Sequence, residues 1–160
     1  SSATNIYNSL YETFEDYTIK RVDGFAVIPW LFPLLVEKPT KISLIHADPV
    51  ANNIVISGQT ALMIDWQSPA LGDPMEDLSH FLSPAMQRLY RGKILNAKQQ
   101  KQVLNAYQAQ YPRFDFARFE RLYPHYSWRI AAYCLWQKQQ GNSDYSDAFD
   151  QEVTALKVKA

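Results

Sequence analysis

Apolar side chains in the first twenty residues recur every three or four positions, at Ile6, Leu10, Phe14 and Tyr17. That spacing places them on one helical face, and with Thr4 standing as a cap it predicts an amphipathic helix from Thr4 to about Lys20. The next stretch, "FAVIPWLFPLLVEKP", is apolar but broken by Pro29 and Pro33, so it reads as short buried helical turns closing at Pro39. The period then changes. "ISLI" (42–45), "IVI" (54–56) and "ALMI" (61–64) are short, apolar and rich in β-branched residues, which predicts buried strands. The last two flank "SGQT", where Gly58 can take a positive φ, so a hairpin centred near Gly58 and Gln59 is expected.

Everything after these strands reads as helix. Asp73, Pro74 and Glu76 combine a capping acid, a proline at the first helical position and a carboxylate at the third, ahead of "MEDLSHFL". Asn96 with Gln99 repeats the start signal before "AKQQKQVLNAYQAQY", and Ser146 or Asp147 is expected to open "DAFDQEVTALKV". Between them, "YPHYSWRIAAYCLWQKQQGN" has Pro124 near its start and Gly141 near its end, with a middle that is apolar nearly all round. A helix running through the core is predicted there. The order is helix, turns, three small strands, then four or five helices, a mainly helical α+β domain expected to span residues 1–160 as one unit.

Composition narrows this picture more than it extends it. At 160 residues and 47% hydrophobic, the chain can bury a core without staples. Lys+Arg and Asp+Glu both number 16, so no net field points to nucleic acid or an anionic membrane. The single cysteine, Cys134, excludes an internal disulfide and a Cys-cluster zinc site, and a buried thiol is expected for it. No apolar run approaches the roughly 18–20 residues of a membrane span, and "SSATNIYNSL" lacks the pattern of a secretory leader. A soluble, cytoplasmic protein is the expectation.

The chemistry concentrates in "LIHADPVANNIVI" (44–56), where short polar residues interrupt apolar runs. The hairpin places Asn53 across from Ile64 or Asp65, so an amide oxygen and a carboxylate meet at the open end of the strands, hard donors suited to Mg²⁺. Asp48, on the loop that feeds the hairpin, adds a third oxygen-bearing group. Two groups to hold metal on phosphates and a separate carboxylate to take a hydroxyl proton are what phosphoryl transfer requires.

"HADPVANN" (46–53) resembles the catalytic loop of the kinase superfamily, with Asn five residues after Asp. It is closest in style to the aminoglycoside phosphotransferase and choline kinase group, whose loop typically reads "HGDLHPGN". "MIDW" (63–66) resembles that group's metal-binding segment and "GDPMEDLSHF" (72–81) its "GDPxxDLA" segment, so three motifs occur in order. The resemblance implies the C-terminal lobe of a protein-kinase-like fold, ATP as phosphoryl donor, Mg²⁺ as cofactor and a small-molecule hydroxyl, such as an aminoglycoside, choline or sugar, as acceptor. Residue by residue it implies Asp48 as catalytic base and Asn53 and Asp65 as metal and cofactor ligands. His46 would support the loop, Asp77 would reach back to hold the loop backbone, and Asp73 would cap the helix.

Departures from the pattern are Ala47 for glycine, Pro49 for leucine, Val50 for histidine and Gln67 for glutamate. None removes a key oxygen, so tuning is expected. The larger departure is that none of the five glycines lies in a Gly-rich phosphate loop, and no strand supplies a phosphate-binding lysine. The N-terminal nucleotide lobe is therefore expected to be absent from this chain, which alone would bind ATP weakly and turn over little. The competing expectation is a non-catalytic kinase-like lobe serving as a protein-interaction module, with an exposed apolar patch involving Trp30 and Phe32. The remaining candidates favour plain roles. His80 and His125 lack a partner at metal-ligand spacing. Tyr123, Tyr126, Trp128, Tyr133 and Trp136 read as core before acceptor pocket. Asp144, Asp147, Asp150 and Glu152 read as a solvated acidic helix start before a polycation site.

Overall fold

The structure, a computed structural model, describes Pro39 and residues 41–159, with side-chain surroundings defined as far as Leu156. The predicted helix at 4–20 and the apolar turns that follow it, with Trp30 and Phe32, lie outside the described residues. Four short strands come first: β1 (Ser43–Ile45), β2 (Ile54–Ser57), β3 (Thr60–Met63) and β4 (Ala70–Gly72). Five helices follow: α1 (Pro74–Leu82), α2 (Pro84–Arg91), α3 (Ala97–Gln110), α4 (Phe116–Gln139) and α5 (Asp144–Lys159). The described residues are mainly helical α+β.

β2 and β3 form the predicted hairpin, with Ile54 opposite Met63 and Ser57 opposite Thr60. Gly58 has φ 58° while Gln59 does not share the positive sign, the pattern of a II′ turn. The pairing of β1 and the burial of the hairpin could not both be anticipated from the sequence pattern. β1 pairs with β4 and not with the hairpin, so there are two separate two-stranded sheets. β4 went unpredicted because "ALG" is too short to carry a period. A Cβ on Gly72 would come within 2.6 Å of Ile45 Cδ1, so a larger residue there would push the end of the Ile45 side chain aside. Contrary to expectation, the hairpin strands are not buried, Ile56 being 67% and Leu62 56% exposed, whereas Ile45 at the end of β1 is only 4% exposed. A two-stranded ribbon offers two faces, and no described element covers either face of β2–β3 as a core layer would.

The helices start where polar caps put them. Asp73 accepts the Met75 N–H at 3.0 Å, with Pro74 at the first helical position. Ser83 caps α2 ahead of Pro84, and Asn96 with Gln99 closes a reciprocal capping box on α3. Two boundaries differ from the sequence expectation. α4 begins at Phe116, eight residues before Pro124, because Asp115 accepts the Arg118 N–H at 2.9 Å and supplies an earlier start. Pro124 then sits inside the helix, where it forgoes one rung of the ladder. α5 begins at Asp144, ahead of Ser146 and Asp147.

Met75, Leu78, Leu82, Phe119, Leu122 and Tyr123 form one core between α1 and α4. A second packs α2, α4 and α5 around Ala85, Met86, Ile130, Cys134 and Ala148. Val50, only 3% exposed, belongs to this second core, and burying it contributes roughly 1.5–3 kcal/mol toward pinning the polar loop to the helices. Tyr123, Tyr126 and Trp128 are buried, while Tyr133 and Trp136 pack at the core margin.

Glu152 departs from the solvated acid expected. It is fully buried and accepts from Ser83 Oγ at 2.6 Å, from the Ala85 N–H at 2.9 Å and from Ser127 Oγ, so one carboxyl ties together α2, α4 and α5. Asp147 instead pairs with Arg88 at the surface, and that guanidinium holds its carboxyl below the usual range.

Candidate active site

The loop from His46 to Asn53 is fixed from below by α1. Asp77, in the first turn of that helix, accepts the His46 N–H at 2.7 Å through Oδ2 and the Ala47 N–H at 2.9 Å through Oδ1. One carboxylate thereby satisfies two successive backbone donors. Burial pushes the Asp77 carboxyl above its ordinary pKa, even though both backbone N–H groups pull the other way. The clasp also accounts for strain: Ala47 has φ 66°, a left-handed conformation that costs an alanine about 1–2 kcal/mol and would suit glycine.

His46 is 1% exposed and joins the loop to the hairpin. Its Nδ1 accepts the Asp48 N–H at 3.3 Å, which leaves Nε2 to donate to the Ile64 carbonyl at 2.8 Å. Trp66 covers the ring, with centroids 4.6 Å apart and its own Nε1–H donated to the Met63 carbonyl. The loop closes with the Val50 N–H donating to the Asp48 carbonyl and the Asn53 N–H to the Val50 carbonyl.

Asp48 and Asn53 are in direct contact. Asn53 Nδ2 donates to the Asp48 carbonyl at 3.0 Å and to Asp48 Oδ2 at 3.1 Å. Both partners are acceptors, so the amide nitrogen belongs on that side and the amide oxygen is turned to the other. The Ile64 N–H donates to the Asn53 carbonyl at 2.9 Å, which sets Asn53 across from Ile64 and makes Asp65 the next residue beyond the ladder. Asp65 is exposed and has φ 62°, a turn conformation that Asp tolerates better than most residues. An amide oxygen at the end of the ladder and an exposed carboxylate just beyond it are hard donors of the kind that Mg²⁺ takes. Among the described residues no three His, Cys, Asp or Glu side chains cluster as a metal site.

Asp73 does more than cap. Its Oδ2 lies 2.6 Å from Arg118 Nη2 in a buried ion pair that anchors the start of α1 to α4. Arg129 pairs similarly with Glu76 at 2.8 Å. Neither arginine carried a sequence signal, because each meets its acid about forty to fifty residues away in the chain.

His80 is the residue that sequence reasoning passed over. Its Nε2 lies 3.6 Å from Asp48 Oδ1, and burial first, then Arg129 and His46, pushes its pKa down to about 4. The signal that could have found it is the helical period: a residue three after Asp77 shares the face that Asp77 turns to the loop. Tyr90 on α2 stands within the electrostatic reach of Asp48, its hydroxyl pKa raised by burial and then by that carboxylate. An apolar groove of about 480 Å³ runs nearby, walled by Pro49, Ile54, Met63, Leu78, Phe81 and Tyr107. Pro49, next to Asp48, is part of its wall, while Asp48 itself is not.

Among the described residues no helix is long and apolar enough to cross a membrane. No curated protein and no solved structure matches the chain. A family model described as phosphotransferase enzyme family (APH) matches residues 8–125, about three quarters of the sequence. That match runs through the clasped loop, the hairpin and α1, and the chain belongs to the phosphotransferase enzyme family.

Proposed function

We propose that the chain is the catalytic-loop lobe of a small-molecule kinase, moving the γ-phosphoryl group of ATP to an acceptor hydroxyl. What supports this most is the Asp77 clasp, which holds the loop so that Asp48, 38% exposed at its side chain, faces solvent with Asn53 braced against it. Asp48 accepts the hydroxyl proton as the acceptor oxygen bonds to the γ-phosphorus and the bond to the bridging oxygen breaks. Asn53 and Asp65 would hold Mg²⁺, which when bound offsets charge on the phosphates. The Gly-rich strands and the lysine that grip a nucleotide would come from outside these 160 residues, in keeping with a protein-kinase-like fold of two lobes.

The test is Asp48→Asn in the complete protein. Transfer to a panel of aminoglycoside, choline-like and sugar hydroxyls should fall at least about a hundredfold while Mg-ATP still binds. Unchanged turnover would remove Asp48 from the role.

A second reading, a non-catalytic lobe that binds another protein, draws on the exposed apolar side chains of Val55, Ile56 and Leu62. It requires that the complete protein transfer no phosphoryl group to any acceptor in that panel.

A further inference from the structure

We propose that His80 is a positioning residue for Asp48, its Nε2–H directed at Asp48 Oδ1 to fix the plane of that carboxylate. The catalytic part of this inference rests on the phosphotransferase reading above. The geometric part does not.

Nε2 of His80 is buried from solvent and, among the described residues, has no hydrogen-bond partner. Buried polar atoms in folded proteins are nearly always paired, so an orphan that water cannot reach calls for a partner. Asp48 Oδ1 stands 3.6 Å away, a few tenths of an ångström beyond a hydrogen bond. Asp48 is the more exposed of the two and can close that gap by a small rotation of its side chain.

The chemistry of the two atoms decides the tautomer. A carboxylate oxygen only accepts, so an imidazole nitrogen facing it is favourable only when it carries the proton. Burial first, then Arg129 and His46, pushes the ring's pKa down to about 4, which favours the neutral form at neutral pH, while the Asp48 carboxylate acts in the opposite direction. Arg129 is itself engaged by Glu76. The contact is then a neutral donor on a carboxylate and not an ion pair. A neutral donor orients a base with less loss of basicity than a cation would cause.

The position of the other braces fits. Asn53 Nδ2 holds Asp48 Oδ2, and His80 would hold Oδ1, so the carboxylate is bracketed at both oxygens while its exposed lone pairs remain for an acceptor hydroxyl. His80 is anchored in the same helix as Asp77, so one rigid element sets both the loop backbone and the carboxylate it carries.

The deciding measurement is a long-range proton–nitrogen correlation spectrum of the complete protein labelled with ¹⁵N-histidine, with His80→Gln used to assign the ring. A neutral Nε2–H tautomer from about pH 5.5 to 8, whose Nε2 resonance moves in Asp48→Ala, is the expected result. An Nδ1–H tautomer, or a ring indifferent to Asp48→Ala, would overturn the inference whether or not the protein transfers phosphate. Kinetics then separate positioning from packing. His80→Leu should lower kcat about 10- to 100-fold with the nucleotide KM within about twofold, and His80→Gln, which keeps an N–H at that reach, should recover most of the rate. Equal losses in Leu and Gln, or a loss confined to KM, would count against it. A wild-type protein inert toward every acceptor would sink the phosphotransferase reading and leave the spectrum to decide this one.

Discussion

In the loop-and-hairpin half, residues 43–72, Leu44, Ile56, Leu62 and Leu71 are each more than half exposed, while His46 and Asn53 are buried. In the helical half, residues 74–156, Leu78, Leu82, Phe119 and Leu156 are buried, and so is the carboxyl of Glu152. Apart from the buried anchors Ile45 and Val50, the two regions sort their side chains in opposite senses. A helix satisfies its own backbone and needs only one covered face, so five helices can build cores among themselves. A two-stranded ribbon cannot, and it keeps its polar centre dry by borrowing a carboxylate and an apolar anchor from the helices. Asp77 and the pocket around Val50 are those loans, so the candidate site is stable only as far as α1 and α2 are.

The largest effect should come from removing the polar tie in the helical half. Glu152→Ala leaves the Ser83 and Ser127 hydroxyls and the Ala85 N–H without their acceptor, and should cost about 3–5 kcal/mol in denaturant unfolding. A loss near zero would mean that this carboxyl is not structural. Next, Leu82→Ala should cost about 2–5 kcal/mol, whereas Leu62→Ala in the hairpin should stay below about 0.5 kcal/mol. Equal losses at the two leucines would break the comparison, because they would show that the hairpin is covered in the working protein.

The third prediction concerns pH. The folded-state pKa of His80 lies below its unfolded value, so between about 6.5 and 4 the unfolded chain takes up a proton that the folded chain refuses. Stability from this group is present above the window and lost as pH falls through it, by up to about 3 kcal/mol. Asp77 has the opposite sign: its raised pKa contributes stability at low pH that is lost as pH rises through its folded value. The His80 share is therefore read as the difference between wild type and His80→Gln in urea titrations at several pH values. An identical pH dependence in the two would remove it.

The smallest expected effect is Ala47→Gly. Relief of the left-handed strain should exceed the added freedom of the unfolded chain, giving about 0.5–1 kcal/mol of stabilisation. Destabilisation would mean that the Asp77 clasp does not hold Ala47 in that conformation.

Much of the site was legible because its chemistry is local. The hairpin followed from strand period and one glycine, and with it the placement of Asn53 across from Ile64 or Asp65, of which the structure has Ile64. The caps of α1 and α3 were written in adjacent residues. The Asp77 reach to His46 and Ala47 came from resemblance to a family loop, since nothing in the spacing of these residues requires it. The contact between His80 and Asp48 was missed because a search for ligands at fixed spacing ignores what a shared helix face can deliver.

The sequence by itself determined the elements with local causes: capped helices, a hairpin turn at Gly58 and the order of three motifs. Only the tertiary structure decided which side chains leave water. Glu152 reads as one more acid on a helix until hydroxyls and an N–H from α2 and α4 close around it, and β4 exists because β1 offers it a ladder. Burial is a property of neighbours, and hydrogen-bond partners separated by dozens of residues leave no period to read.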